Sequence, residues 1–280
     1  MPLSRSDDAT RWVHPISPRG FPQEPAPCND VSVCESDGGT GLDRRGFLAL
    51  ASWSLPVLLL PRTLRLGPPA RVDPVEVAPG LTVYPRTAWA GTLRARRKLK
   101  PEPDVKFLLV HHSAGATQYT RAQVPSVIRN IFLFHTGGRK GWPDTCYNFF
   151  VDRYGQAWEG RTGSLEGPVM ADATGGSQGF AQLVCLLGDF ETTEPTPEMI
   201  DGLSRLLGWL GKKYGIDLDQ SHTVGFVSRG SNKWRKGAKV RARPISGHRD
   251  MTYTVCPGKH VYPLLARTVP RKARAFMESI

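Results

Sequence analysis

The chain has 280 residues, a formal net charge of +12, 40% hydrophobic and 22% charged residues. Those proportions are ordinary for a soluble globular protein, and a body of about 200 residues can bury a core without covalent staples. The positive excess concerns partners rather than fold, and fits nucleic acid, an anionic membrane surface or an anionic cell wall. Five cysteines, at 28, 34, 146, 185 and 256, are an odd number that fits a disulfide framework poorly.

Residues 1–46 are rich in Pro, Ser, Asp and Gly, lack periodicity, and are expected to be a disordered leader. Asp43-Arg44-Arg45-Gly46-Phe47-Leu48 then opens an apolar run over 47–60, interrupted by Pro56. Paired arginines ahead of such a run resemble a twin-arginine export signal, with 47–60 as its hydrophobic region. The run is too short to span a membrane, and a buried N-terminal helix is the alternative. The resemblance implies an extracellular or wall location, or membrane anchoring if the signal is not cleaved. Two departures stand out. The stretch before the arginines is long for a leader, so a start near Val31 or Val33 is an alternative, and no clean small-x-small cleavage site follows. Five prolines within 61–79 make a stiff linker. The folded domain is expected over 80–280.

From there strands and helices interleave. Residues 105–111 contain Phe107-Leu108-Leu109-Val110, a continuous apolar run that predicts a buried strand. Val124, Val127, Ile128, Ile131 and His135 recur at helical spacing within 120–135. Residues 147–151 and 156–159 flank Asp152-Arg153-Tyr154-Gly155, a hairpin signal. Another buried strand is expected over 182–187. Thr196-Pro197 reads as an N-cap followed by a first-turn proline. Ile200, Leu203, Leu207, Leu210 and Tyr214 form one stripe, and Gly215 stands at the C-cap position. A last helical region follows Tyr262, with a break expected near Pro270. The pattern predicts an α/β fold, a single mixed β-sheet flanked by helices.

Two features carry chemistry. His111-His112 ends the first buried strand, where neighbours point to opposite faces, so at most one histidine faces a given cleft. Gly247-His248-Arg249-Asp250 is followed by Cys256-Pro257-Gly258. Two His and one Cys could hold zinc as three protein ligands and leave the fourth position for water, whose pKa zinc would lower toward ~7. Taken singly, a histidine at a strand end also serves in packing, and a cysteine before Pro-Gly also serves as a small buried hydrophobe. Spacing alone leaves both readings standing.

The motifs around these residues are more specific. They are Val110-His111-His112-Ser113, Gly141-Trp142-Pro143-Asp144-Thr145-Cys146-Tyr147-Asn148-Phe149, Val151-Asp152-Arg153-Tyr154-Gly155 with Glu159-Gly160-Arg161, and Gly247-His248-Arg249-Asp250 with Thr254-x-Cys256-Pro257-Gly258. In that order they resemble the type 2 N-acetylmuramoyl-L-alanine amidases, which include the peptidoglycan recognition proteins and the T7-type lysozymes. Tyr84-Pro85-Arg86-Thr87-Ala88-Trp89 resembles the opening segment of the recognition proteins, and residues 229–233 look like versions from high-GC Gram-positive bacteria.

The resemblance implies a zinc site in a surface cleft, held by His111, His248 and Cys256. It implies Tyr147 beside the metal as a catalytic residue and Thr254 near the developing charge. The implied reaction is hydrolysis of the amide between N-acetylmuramic acid and L-alanine in peptidoglycan, with peptidoglycan binding without cleavage as the alternative. His112 is expected to be packed. His135 is expected to line the substrate groove if its helix turns that face inward. Asp172 departs from the family, where many relatives carry a histidine, so it is a candidate groove residue for altered preference. Cys185 is expected in the core.

Between His222 and Arg249 there is no acidic residue but seven basic ones: Arg229, Lys233, Arg235, Lys236, Lys239, Arg241 and Arg243. Such a stretch is either a solvated loop or a surface over 229–243 that attracts anionic wall polymers. No zinc-finger spacing, aromatic RNA-binding signature or clear helix-turn-helix accompanies it, so nucleic acid is not expected as a partner. A monomer is expected.

Overall fold

A computed structural model of the chain describes residues 72–280 apart from 139 and 178. The expected leader (1–46), the apolar run (47–60) and residues 61–71 of the linker lie outside the described residues, as do Cys28 and Cys34. Among the described residues no helix is long and apolar enough to cross a membrane.

The main sheet has the order β1-β2-β5-β4-β6-β3-β9. Its strands are β1 (Val75–Ala78), β2 (Leu81–Tyr84), β3 (Phe107–His112), β4 (Phe149–Val151), β5 (Ala157–Glu159), β6 (Ala181–Leu186) and β9 (Ile245–Gly247). β1 and β2 pair antiparallel, as do β4 and β5, whereas β2–β5, β4–β6, β6–β3 and β3–β9 are parallel. This is the mixed sheet the sequence predicts, with one extension. β1 lies within the expected linker, so the fold begins several residues before position 80.

Alternation along β3 divides the core. Leu108 and Val110 join Val184, Leu186 and Val151 on the face covered by α3 (Pro197–Tyr214) and α5 (Thr268–Ser279). Phe107 and Leu109 point the other way, to Leu183, Phe226 and Val240. On that second face α2 (Val124–Thr136) packs Val124, Ile128 and Phe132 against Phe150, Trp158 and Cys185, next to Trp89 of α1 (Thr87–Ala90). Cys185 is thus in the core, where burial pushes its thiol pKa well up.

α3 begins and ends as its sequence dictates. Thr196 Oγ1 accepts the Met199 N–H at 3.2 Å, Pro197 occupies the first position, and Gly215 closes the helix at φ 64°. Gly208 lets α5 approach, since a Cβ there would stand 2.5 Å from the Ala273 carbonyl oxygen. The last helical region differs from expectation. The break falls at Arg267 (φ −142°), between a 3₁₀ turn at Tyr262–Ala266 and α5. Pro270 sits in the first turn of α5, where a missing N–H costs no intrahelical bond.

The basic stretch is not a plain loop. β7 (Val224–Val227) and β8 (Lys239–Ala242) pair antiparallel, with Phe226, Val240 and Ala242 buried and Lys239 and Arg241 alternating with them. β9 follows and forms one edge of the main sheet. With its side-chain amide oriented to satisfy both groups, Gln220 donates to the Ile245 carbonyl at 3.1 Å and accepts the Ile245 N–H at 3.0 Å. That side chain occupies the place of a missing neighbour strand.

Candidate functional site

β3 and β9 run parallel with Val110 opposite Gly247, so the residues that follow, His111 and His248, emerge side by side at the strands' C-terminal ends. Ligands of open α/β sheets gather at such ends. The two imidazole rings lie 4.3 Å apart, centroid to centroid. His248 opens α4 (His248–Met251), a single turn fixed at its start by Asp250. That carboxylate accepts the Gly247 N–H at 2.8 Å and the Tyr262 hydroxyl at 2.6 Å.

Cys256 arrives from the loop after α4. Its Sγ is 3.7 Å from His111 Nδ1 and accepts the His112 backbone N–H at 3.4 Å. The loop is held against residues 189–191 by close approach at Gly258 (φ 94°), where a Cβ would lie 2.2 Å from the Phe190 carbonyl carbon. Any other residue there would push Cys256 out of place.

His111, His248 and Cys256 therefore form a buried group whose donor atoms lie within 4.8 Å of one another and could hold a metal ion. Burial, with the neighbouring histidines, drives the pKa of His111 well below its usual value. His248 is lowered to about 3, chiefly by burial and then by His112. Both rings are neutral near pH 7, with lone pairs to offer. His111 Nε2 is buried and has no hydrogen-bond partner among the described residues. Two neutral imidazoles and a thiol that accepts a backbone N–H are a donor set suited to zinc. The residues present fit that ion.

The other sequence candidates surround this group unequally. The Tyr147 ring lies 5.0 Å from that of His111 and 5.5 Å from that of His135. Thr254 is partly buried, and its Oγ1 accepts the Cys256 N–H at 3.2 Å. His112, on the opposite strand face, is packed, and its Nδ1 accepts the Phe190 N–H at 3.1 Å.

His135 is only 5% exposed and its ring packs beside Tyr147. Its Nδ1 accepts the Cys146 N–H at 3.2 Å, and burial, with Lys140 and Arg161, lowers its pKa to about 3. Asp172 is taken up by an ion pair with buried Arg161 at 2.6 Å. Arg161 also donates to the Thr145 carbonyl at 2.9 Å, so this pair braces the segment leading to Tyr147. Sequence reasoning missed Trp142, whose ring lies 5.1 Å from His135. It also missed the anchoring carboxylate Asp250. Only the motifs containing them hinted at either.

Comparison with known proteins places this geometry in a family. A family model described as N-acetylmuramoyl-L-alanine amidase matches residues 101–259. Peptidoglycan-recognition protein SC1a/b of Drosophila simulans is 25% identical over 186 residues, covering 66% of this chain and 85% of that protein. Peptidoglycan recognition protein 1 of Rattus norvegicus is 25% identical over 184 residues, covering 65% and 85%. Among solved structures, Drosophila peptidoglycan recognition protein SD superposes with a TM-score of 0.53 at 17% identity, covering 67% of this chain and 94% of that one. Drosophila PGRP-LB gives 0.51 at 20%, covering 66% and 93%. These two likenesses show a shared fold. With the family model spanning more than half of the 280 residues, from just before β3 to just past Cys256, the chain belongs to the N-acetylmuramoyl-L-alanine amidase family.

Proposed function

We propose that the chain is a zinc-dependent amidase that hydrolyses the bond between N-acetylmuramic acid and L-alanine in peptidoglycan. The observation that carries this reading is the buried His111–His248–Cys256 group, with two neutral imidazoles and an unpartnered Nε2 on His111. A fold relative, human PGRP-Iβ, has been solved with a glycosamyl muramyl pentapeptide, which supports a muramyl peptide as ligand class.

His111, His248 and Cys256 would hold the ion. When bound, zinc supplies Lewis-acid polarisation of the scissile carbonyl and lowers the pKa of the attacking water. Tyr147, whose ring lies 5.0 Å from that of His111, would donate to the oxygen on which charge develops. Thr254 accepts the Cys256 N–H through its oxygen, which steadies the cysteine loop and orients its own hydroxyl as a second donor. Asp250 keeps His248 in place through the start of α4. Overall, water oxygen adds to the lactyl carbonyl and the carbon–nitrogen bond breaks. Both protons of the water end on the alanine nitrogen, giving a carboxylate and an ammonium group.

In the same reading the protein acts as a monomer and is exported by its twin-arginine-like segment to the wall or the extracellular space. Arg229, Arg235, Lys236 and Arg243 are exposed and would attract anionic wall polymers.

Incubation of the purified full chain with insoluble peptidoglycan tests the reaction. New L-alanine amino termini are expected, abolished by a chelator and restored by zinc. If no termini appear with zinc present while the protein still sediments with the wall, the chain is a binder and not an enzyme.

A further inference from the structure

His248 and Cys256 are separated by a segment with little regular structure of its own. α4 is one turn, too short to hold its geometry unaided. Its carbonyls and those just beyond are taken up by the loop joining β7 to β8. Lys233 Nζ donates to the Arg249 carbonyl at 2.7 Å, and Trp234 Nε1 to that of Asp250 at 3.0 Å. Ser231 Oγ donates to the Met251 carbonyl at 2.9 Å. Asn232 grips Tyr253 from both sides. Its Oδ1 accepts the Tyr253 N–H at 2.8 Å and its Nδ2 donates to the Tyr253 carbonyl at 3.4 Å. The same Oδ1 accepts the Thr252 hydroxyl.

Four consecutive side chains thus satisfy the main chain between two members of the site. The loop has a rigid base. Ser228 N–H donates to the Ala238 carbonyl at 2.8 Å, Ser228 Oγ donates to that of Trp234 at 3.1 Å, and Phe226 and Val240 are buried against Phe107 and Leu109.

We propose that residues 231–234 are a positioning clamp. They fix the separation and orientation of His248 and Cys256, and through them the affinity of the site for its metal. The clamp rests on the zinc reading above. Lys233 turns its ammonium inward to the Arg249 carbonyl within α4, so part of the basic stretch acts on the site and not on an external polymer. None of the four residues belongs to the His111–His248–Cys256 group. They act as outer supports do in metal sites, whose removal costs about 10- to 100-fold in affinity.

The test compares zinc dissociation constants, by chelator competition, for the parent, Trp234→Phe, Asn232→Ala and Lys233→Met. Trp234→Phe keeps an aromatic ring while removing the N–H donor, and Lys233→Met keeps the stem if the asparagine variant fails to fold. Affinity is expected to fall about tenfold or more in each. The d–d absorption of the cobalt(II)-substituted proteins should shift, a change that loss of stability alone would not cause. Lys236→Ala, on the same loop, should bind zinc like the parent. A parent that binds zinc with Trp234→Phe and Lys233→Met within twofold of it overturns the clamp alone. A parent that binds no zinc overturns the metal reading and the clamp with it.

Discussion

Cys256 lies 3.7 Å from His111 Nδ1 and receives the His112 N–H, so its side chain has a double tie to the end of β3. Replacing it with serine should abolish stoichiometric zinc binding while the fold, read by far-ultraviolet circular dichroism, persists. Undiminished zinc would remove Cys256 from the ligand set. Tyr147 separates differently. Tyr147→Phe keeps the ring against His111 and should leave zinc bound, but kcat should drop roughly 10²-fold, the size of losing one oxyanion donor. A kcat unchanged in that variant would assign Tyr147 to packing. His135 gives a pH signature. Its folded pKa is about 3, below the usual histidine value, so between about pH 6.5 and 3 the unfolded chain binds a proton that the folded chain does not. Stability contributed by this group is therefore complete above pH ~6.5 and is lost as pH falls through that window. Urea titrations of chelated protein should show His135→Gln taking up about one proton fewer on unfolding near pH 5. Equal uptake would show that His135 is charged in the folded state.

Elements were legible where length and local signals agreed. Phe107-Leu108-Leu109-Val110 is buried on both faces, and an unbroken apolar run can mean little else beside short helices. α3 carried its own start and stop in Thr196, Pro197 and Gly215. Thr196→Ala should accordingly cost about 1 kcal/mol of stability by urea denaturation and leave zinc affinity alone, because α3 packs on the face of the sheet away from His111. An unchanged midpoint would show that Pro197 alone starts the helix. β9 was illegible for the opposite reason. Three residues, Ile-Ser-Gly, are too few to display a period, and their pairing with β3 is decided by tertiary contact. β8 did alternate, as Lys239-Val240-Arg241-Ala242, but its charge dominated its pattern. β1 was hidden between Pro74 and Pro79. The contact between His111 and Cys256 joins positions 145 apart in the chain, a juxtaposition no local rule supplies. Only the order of several motifs made it readable.

Across the whole molecule, the sheet carries His111 in its interior and His248 directly after its margin. β3 is flanked by β6 and β9, whereas β9 has β3 on one side and the Gln220 amide on the other. Short margins of a fold open at far lower free energy than its centre. If zinc leaves only when β9 peels away, the lifetime of an occupied site would follow the opening of that margin and not global unfolding. Gln220→Ala should speed zinc release to a chelator and amide exchange at Ile245 by similar factors, with the thermal midpoint nearly unmoved. Release rates equal to the parent's would mean that the ion leaves without β9 opening. On this account Gln220, which is not part of the proposed metal group, would govern how long the protein stays loaded once zinc becomes scarce.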